Sequence, residues 1–262
     1  MKISLDIRKT IDENAAEFFN KAKKAKKKIL GAKKALVRST AQFEKEEAKE
    51  HIIVESKVKK IRKKDWFEKF RWFMSSDNFM IIAGRDATTN EIIIKKYCEE
   101  GDLVLHTDMA GSPFTVIKSE NKEIPKTTIS EAADLTVSFG RGWKKGLSTT
   151  EVFYVKPDQV SKDAKAGESL TKGAFMIYGD TKYIDNKINV AIGVYNDRIM
   201  SGPISAIKKH CKEFVEIIQG ERKSSDIAKI VNKKLGGKLD LDEIIRALPP
   251  GNCELKRDRS KK

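Results

Sequence analysis

The sequence predicts an α+β protein with a mostly antiparallel sheet, flanking helices and a basic helical arm at its N-terminus. Three observations lead to this prediction. Short apolar runs separated by turn residues are often adjacent, as in hairpin-linked strands, and helical patterns interrupt them only sometimes. A capping box at Thr10-Ile-Asp-Glu13 precedes a long helical pattern. Positive charge is concentrated at the two ends of the chain.

The basic arm is assigned to residues 1–64. Its apolar residues recur at alternating steps of four and three, as in the a/d seam of a coiled coil: Ile11, Ala15, Phe18, Ala22, Ala25, Ile29, Ala32 and Leu36. Ser39-Thr40 is expected to form a turn, followed by a second helix over residues 41–64. The arm is therefore expected to be a helical hairpin, or short antiparallel coiled coil, and its alanine-rich seam also admits self-association.

The body is assigned to residues 65–255, and a basic tail to residues 256–262. Asp65 is expected to cap a helix that continues to Met74, with Arg71 and Trp72 at the surface. Further helices are expected over residues 87–97, 127–146, 224–235 and 241–248, and Ser201-Gly-Pro203 is expected to open another, with Pro203 at its first position. Strands are expected over residues 79–83, 103–108, 114–118, 152–156, 174–178, 183–184, 190–195 and 214–218.

The charge distribution indicates a polyanionic partner. The net charge is +15, of which residues 1–64 carry +11 and residues 256–262 carry +4, so the body is neutral. Such clustering favours nucleic acid over a membrane surface, the alternative being a charged surface that serves only solubility. No apolar run is long enough to span a bilayer, and the N-terminus lacks a secretory signal, so a cytoplasmic protein with free cysteines is expected.

Candidate RNA-binding residues follow from this distribution. They lie in the arm and on exposed parts of the body: Lys24, Lys27, Lys28, Lys34, Lys57, Lys59, Lys60, Arg62, Lys63, Lys64, Arg71, Arg85, Lys95, Lys96, Arg141, Trp143, Lys144 and Lys145. Trp143 stands among cations on a glycine-bounded segment, which suits base stacking with phosphate contact. The alternative is that Trp143 is buried and only the lysines are exposed.

A candidate anion site lies at Arg222, Lys223, Ser224 and Ser225. Two cations stand there just before a helix start, where backbone amides are exposed. Ordinary helix capping by the serines is the simpler interpretation of the same residues.

Signals for catalysis are weak. The sequence contains no phosphate-binding loop, no nucleophile elbow and no clustered Cys/His, so no cofactor or metal is expected. His106 and Asp108 alternate onto one face of a predicted strand, and a structural hydrogen-bonded pair is the favoured interpretation. The alternative is an RNA- or nucleotide-processing enzyme that uses His106, Asp108 and Arg85.

Several long segments resemble the NFACT family. The stretch WFEKFRWFMSSDNFMIIAGRDATTNEIIIKKY, from Trp66 to Tyr97, is similar to the opening of the NFACT-R domain. LHTDMAGSPFTVIK, GRGWKKG, VFYVKPDQVSK and LTKGAFMIYG continue the resemblance in the same order. SGPISAIKKH and DLDEIIRALPPGNCE look like the C-terminal extension of archaeal members. The arm resembles the coiled-coil middle segment that precedes NFACT-R.

The resemblance implies a non-catalytic, RNA-binding component of ribosome-associated quality control. Its implied partners are ribosomal RNA of the large subunit and tRNA, at complexes that carry a stalled peptidyl-tRNA. The N-terminal NFACT half is absent from this sequence. A separate polypeptide carrying that half is therefore an expected partner, and tailing activity by this chain alone is not implied.

Overall fold

The computed structural model describes residues 4–56, 64–163 and 170–256, with the backbone alone given for residues 41–56. The chain divides into two compact units, Met1–Lys63 and Lys64–Lys262. The first contains a long helix, and the second contains antiparallel sheets with flanking helices, so the α+β prediction is confirmed. Within the described part, none of the helices has the length and apolar character needed to cross a membrane.

The first unit contains helix α1, Ile11–Ser56. Its N-terminus is capped as predicted, because the Thr10 amide donates to Glu13 Oε2 at 2.8 Å and the Glu13 amide donates to Thr10 Oγ1 at 3.2 Å. The expected turn at Ser39-Thr40, and with it the hairpin built on that turn, is wrong. The Thr40 hydroxyl instead donates to the carbonyls of Leu36 and Val37, each at 3.1 Å, so the helix continues through this point.

The apolar seam of α1 is exposed. Ile11, Ile29 and Leu36 are 85%, 56% and 65% exposed, respectively. A seam of this kind gains stability only when a second helix covers it. Self-association through the seam stays a prediction.

The second unit opens with a 3-10 helix, Trp66–Lys69, and its other elements follow in chain order. The first half contains β1 (Arg71–Met74), β2 (Met80–Ala83), α2 (Ala87–Tyr97), β3 (Leu103–Thr107), β4 (Thr115–Ile117), α3 (Lys126–Ser138), α4 (Arg141–Lys144), β5 (Val152–Val155) and a 3-10 turn (Pro157–Gln159). The second half contains β6 (Val160–Ser161), β7 (Met176–Ile177), β8 (Lys182–Ile184), β9 (Val190–Tyr195), β10 (Arg198–Gly202), α5 (Ile204–His210), β11 (Phe214–Arg222), α6 (Ser224–Lys234), α7 (Leu241–Ala247) and β12 (Cys253–Leu255).

The larger sheet has the strand order β1-β2-β4-β3-β5-β8, with every neighbouring pair antiparallel. The predicted hairpin of residues 103–118 is present, with Val104 opposite Val116. The helix expected from Asp65 to Met74 is wrong beyond Lys69, because β1 follows. Trp72 and Phe73 point to opposite faces of β1 and are both buried, so the strand lacks the polar alternation that marks a half-exposed strand.

The smaller sheet has the order β10-β9-β11-β12 and is also antiparallel. The sequence did not predict β10 or β12. β10 follows the turn residues Asn196 and Asp197, which both have positive φ (48° and 60°) as a tight hairpin turn requires. A third sheet pairs the short strands β6 and β7.

Helix α3 lies between the two larger sheets and contacts strands of both. The single helix expected over residues 127–146 ends at Ser138 and resumes as the short α4. The break occurs at Gly140, where a Cβ would lie 2.7 Å from Ser112 Oγ and 3.2 Å from the Thr136 carbonyl oxygen. Glycine therefore allows the backbone to pass close to the loop after β3, which fixes where α4 begins.

Candidate nucleic-acid interface

Trp143 lies in the core rather than on the surface. It is 2% exposed, and its indole Nε1 donates to the Asn252 carbonyl at 3.0 Å. The expected stacking role is therefore wrong, and the buried alternative is the one the structure shows. A side chain of this size gains more from full burial with its N–H satisfied than from partial exposure.

The cations around Trp143 are exposed. Arg141, Lys144 and Lys145 lie at the surface, and none forms an ion pair with a described residue. Lys144 packs beside Gly251, where a Cβ would approach Lys144 Cγ at 3.1 Å; Gly251 has a φ of +120°, which also favours glycine. Buried Trp143 thus anchors α4 to the turn at residues 249–252 and holds these cations in place.

The candidate anion site lies beside the same turn. The Ser224 hydroxyl donates to the Gly251 carbonyl at 3.0 Å, so it does not cap α6, and Lys223 occupies the N-cap position. Arg222 pairs with Glu254 at 3.3 Å, whereas Lys223 is exposed and has no ion pair with a described residue. Ser225 is exposed in the first turn of α6, next to Asp226, and these contacts favour ordinary packing over an anion site.

The structure brings two of the predicted groups together. Segments 141–145 and 222–225 are about eighty residues apart in sequence, and both contact the turn at Gly251 and Asn252. We call the exposed cations of this region, Arg141, Lys144, Lys145 and Lys223, the turn surface. The Pro249-Pro250-Gly251 sequence is a turn signal, but nothing in the sequence indicates which segments it joins.

Arg71 and Arg85 are half-buried and bonded to backbone carbonyls rather than free at the surface. Arg85 directs all three nitrogens at backbone carbonyls: Nε to Lys69 at 3.2 Å, Nη1 to Arg246 at 2.7 Å and Nη2 to Phe70 at 2.8 Å. Burial, together with the charge of Arg246, lowers the pKa of Arg85 to about 10. Its role is to tie three chain segments together. Arg71 donates to the Gly84 carbonyl at 2.7 Å and packs over the Phe139 ring.

The remaining body lysines differ in their partners. Lys64 pairs with Glu243 at 2.8 Å, and Lys95 pairs with Glu91 at 2.7 Å. Lys96 is exposed without an ion pair to a described residue. Partly neutralised lysines contribute less to an anion-binding surface than unpaired ones.

Helix α1 carries a second group of cations. Lys24, Lys27, Lys28 and Lys34 are exposed and form no ion pair with a described residue. Glu17, the acid nearest this group on the N-terminal side, already binds Lys21 and Lys9, which lowers its pKa to about 2. The candidates Lys57, Lys59, Lys60, Arg62 and Lys63 lie outside the described residues, as does the tail beyond Lys256.

The three candidate catalytic residues do not form a joint site. His106 stacks on Phe114, with ring centroids 4.2 Å apart, and burial lowers its pKa. Asp108 is exposed and accepts a hydrogen bond from the Tyr183 hydroxyl at 3.2 Å rather than one from His106. Arg85 is occupied by carbonyls. In the described part of the chain, no three His, Cys, Asp or Glu residues are placed to hold a metal ion.

Comparison with known proteins identifies the second unit. Residues 69–179 match the family described as "NFACT protein RNA binding domain". The chain belongs to the NFACT family. The matched range contains α2, α3, α4 and most of the larger sheet, including Arg141, Lys144 and Lys145 of the turn surface. Lys223 and the Gly251 turn lie outside the matched range.

NFACT-family relatives match beyond this domain. The chain is 40% identical over 206 residues to the "Archaeal Rqc2 homolog aRqcH" of Methanocaldococcus jannaschii, covering 75% of this chain and 30% of that protein. It is 42% identical over 164 residues to the human "Ribosome quality control complex subunit NEMF", covering 62% of this chain and 15% of that protein. The Drosophila melanogaster NEMF homolog is 32% identical over 226 residues, covering 84% of this chain and 21% of that protein. The chain thus spans less than a third of the length of these relatives.

Proposed function

We propose that this NFACT-family chain is a non-catalytic RNA-binding component of ribosome quality control, and that the turn surface is one of its RNA contacts. The match to an NFACT RNA-binding domain is the observation that carries the proposal. Relatives that are named as ribosome quality control subunits supply the cellular context. The large ribosomal subunit and tRNA are the RNAs that we propose as partners.

The charge arrangement supports phosphate contact at the turn surface. Its four exposed cations lie on two segments that both contact the Gly251 turn, and none has a carboxylate partner among the described residues, although the body as a whole is neutral. An unpaired lysine or arginine gains binding free energy by displacing the counterions condensed on RNA. Because such contacts reach phosphates and not base edges, we expect little sequence preference from this surface.

Helix α1 is proposed as a second basic contact. Its lysines follow one another over residues 24–34, and a helix rises about 1.5 Å per residue, so they extend over roughly 15 Å. An extended strip of this kind follows a phosphate backbone better than it encloses a small ligand. A separate chain with the N-terminal part of the family remains a proposed partner, since the match covers only 30% of the Methanocaldococcus jannaschii relative.

The experiment measures binding of the full chain to tRNA and to purified large ribosomal subunits over a range of salt concentrations. The test variant is Lys144→Gln, Lys145→Gln and Lys223→Gln combined. The matched control replaces three exposed lysines that form no ion pair with a described residue: Lys126→Gln at the start of α3, Lys208→Gln on α5 and Lys212→Gln just after α5. Both variants change the net charge by the same amount.

The expected result is a smaller salt dependence for the test variant only. Each lost phosphate contact removes roughly 0.7–0.9 from the slope of log affinity against log salt, so three lost contacts reduce it by about 2 to 3. Equal slopes in the test and control variants would contradict the assignment of RNA contact to the turn surface. Cleavage or covalent modification of tRNA, mixed with the pure protein in stoichiometric amount, would contradict the non-catalytic role.

A further inference from the structure

An open cleft lies between β1, the start of α2 and the loop after β3. Its volume is about 390 Å³, within the range of roughly 300–1,000 Å³ typical of small-ligand sites. The loop of residues 110–113 and the segment 171–175 form its sides. Gly173 closes one side against α2, because a Cβ there would lie 2.5 Å from the Cα of Ala87.

A guanidinium without an acidic partner lines this cleft. Arg71 forms no ion pair with a described residue, and only its Nη1 donates a hydrogen bond, to the Gly84 carbonyl. Its Nε is buried without an acceptor. Burial, with the nearby charge of Arg85, lowers the pKa of Arg71 to about 9, so the group still carries its charge at neutral pH. A partly buried cation in this state is stabilised by an incoming anion.

The other charges of the cleft leave it positive. Arg85 and Lys172 line it together with Arg71, whereas Asp86 is the one acidic residue among its lining residues. The Asp86 carboxylate is already engaged, because it accepts the Thr89 amide at 2.8 Å as the N-cap of α2. Asp86 therefore already occupies the anion position at this helix start, and Arg71 is left as the principal anion-binding group.

Besides its positive charge, the cleft contains several aromatic rings. His106 and Phe114 are stacked with centroids 4.2 Å apart, and Phe175 meets Phe114 edge-on at 5.3 Å. Phe139 lies under the Arg71 guanidinium, with 4.9 Å between Cζ and the ring centroid. All of these residues line the cleft. Phe114 and Phe139 are almost fully buried, so the half-buried rings of His106 and Phe175 are the ones that a ligand can reach. A site that combines such rings with an unpaired cation matches a nucleotide, which carries a planar base and a phosphate.

The cleft is also adjacent to the turn surface. Arg141 lies beside Gly111 of the cleft loop, where a Cβ would be 3.1 Å from Arg141 Nε. We propose that the cleft binds one unpaired nucleotide of the bound RNA, with its phosphate on Arg71 and its base against the aromatic side chains. This proposal rests on the proposed RNA-binding function and adds the chemical group that the domain recognises.

The test is calorimetric or NMR titration of the full chain with each of the four nucleoside 5′-monophosphates, the four matching nucleosides and inorganic phosphate. At least one monophosphate is expected to bind about tenfold or more tightly than its nucleoside and than inorganic phosphate, because a charge-assisted contact adds to stacking. Arg71→Gln is expected to weaken that binding by about tenfold or more. Lys212→Gln, at an exposed lysine outside the cleft, is the matched control and should bind as the wild type does.

A second variant keeps the test valid if Arg71→Gln does not fold. Lys172→Glu reverses an exposed charge at the cleft that has no ion pair with a described residue, and several-fold weaker nucleotide binding is expected. Failure of all four monophosphates to bind at millimolar concentration, with RNA binding intact, would overturn the cleft proposal and leave the RNA-binding function standing. If the wild-type chain bound neither the monophosphates nor RNA, the proposed RNA-binding function would be overturned as well. Equal affinity for inorganic phosphate would contradict the role of the aromatic side chains.

Discussion

Replacing Trp143 tests whether this residue anchors the turn surface from within the core. Its side chain is 2% exposed, and its Nε1 donates to the Asn252 carbonyl. Truncation to alanine removes the ring, leaves a cavity and leaves that carbonyl without its donor. Trp→Ala changes in cores cost about 3–5 kcal/mol, a large fraction of the about 5–15 kcal/mol that stabilises a typical folded protein.

Phenylalanine at the same position separates packing from the hydrogen bond. Trp143→Phe keeps most of the apolar contact, but it loses one neutral hydrogen bond and some side-chain volume. The free energy of unfolding is therefore expected to fall by about 1–2 kcal/mol. The assay is urea unfolding of the full chain, followed by the fluorescence of Trp66 and Trp72, which both variants retain. For the phenylalanine variant, RNA affinity per folded molecule is expected to equal that of the wild type.

The opposite pattern would refute this reasoning. If Trp143→Ala unfolded at the wild-type urea concentration while its RNA affinity fell tenfold, Trp143 would be a surface stacking residue. The buried position and the Asn252 contact would then not describe the protein in solution.

Three further predictions concern the body. Arg85→Ala is expected to lower the free energy of unfolding by about 2–4 kcal/mol, because three backbone carbonyls lose a charged donor; an unchanged urea midpoint would contradict this. Glu131→Ala is expected to cost about 3 kcal/mol or more, since buried Glu131 accepts from the Ser76 hydroxyl and the Ser205 hydroxyl, each at 2.6 Å; a Glu131→Gln variant should recover part of the loss in the same urea assay. Because the pKa of His106 is lowered in the folded chain, the unfolded chain takes up a proton near pH 6.5 before the folded chain does. The free energy of unfolding should therefore fall as the pH drops below 6.5, by up to about 1.4 kcal/mol per pH unit. His106→Gln should remove this component in urea titrations at several pH values, and an unaltered pH profile would show that His106 is not the group responsible.

Local chemistry made much of the fold predictable. Capping residues at Thr10 and Asp86 marked two helix starts correctly, because a side-chain acceptor at the N-cap satisfies amides that the helix leaves free. The hairpin of β3 and β4 followed from apolar runs around a Gly-Ser-Pro turn. These features depend on neighbours within a few residues, and the sequence records those directly.

Features that depend on distant contacts were not predictable in the same way. β1 is an aromatic run covered on both faces, and such a run has no period that separates strand from helix. Trp143 is flanked by cations in sequence, yet its partner Asn252 lies more than one hundred residues away. The Ser39-Thr40 turn was inferred from residue types that a long helix also tolerates, with the Thr40 hydroxyl bonded back to its own helix.

The candidate interface was predicted in part. The sequence singled out Arg141, Lys144, Lys145 and Lys223, but it did not show that their two segments both contact the Gly251 turn. It also placed Arg71 and Arg85 on the surface, because charged residues are rarely buried without a carboxylate partner. Both guanidinium groups are instead held by backbone carbonyls, an arrangement that a charge pattern does not reveal.

RNA contact by the turn surface is tested most directly by ultraviolet crosslinking of the full chain to large ribosomal subunits, followed by mass spectrometry of the crosslinked peptides. RNA adducts are expected on peptides that contain residues 141–145 and 222–225, with fewer on those that contain Lys126, Lys208 or Lys212. Adducts confined to helix α1, or found on those three lysines as often as on the turn surface, would contradict RNA contact by the turn surface.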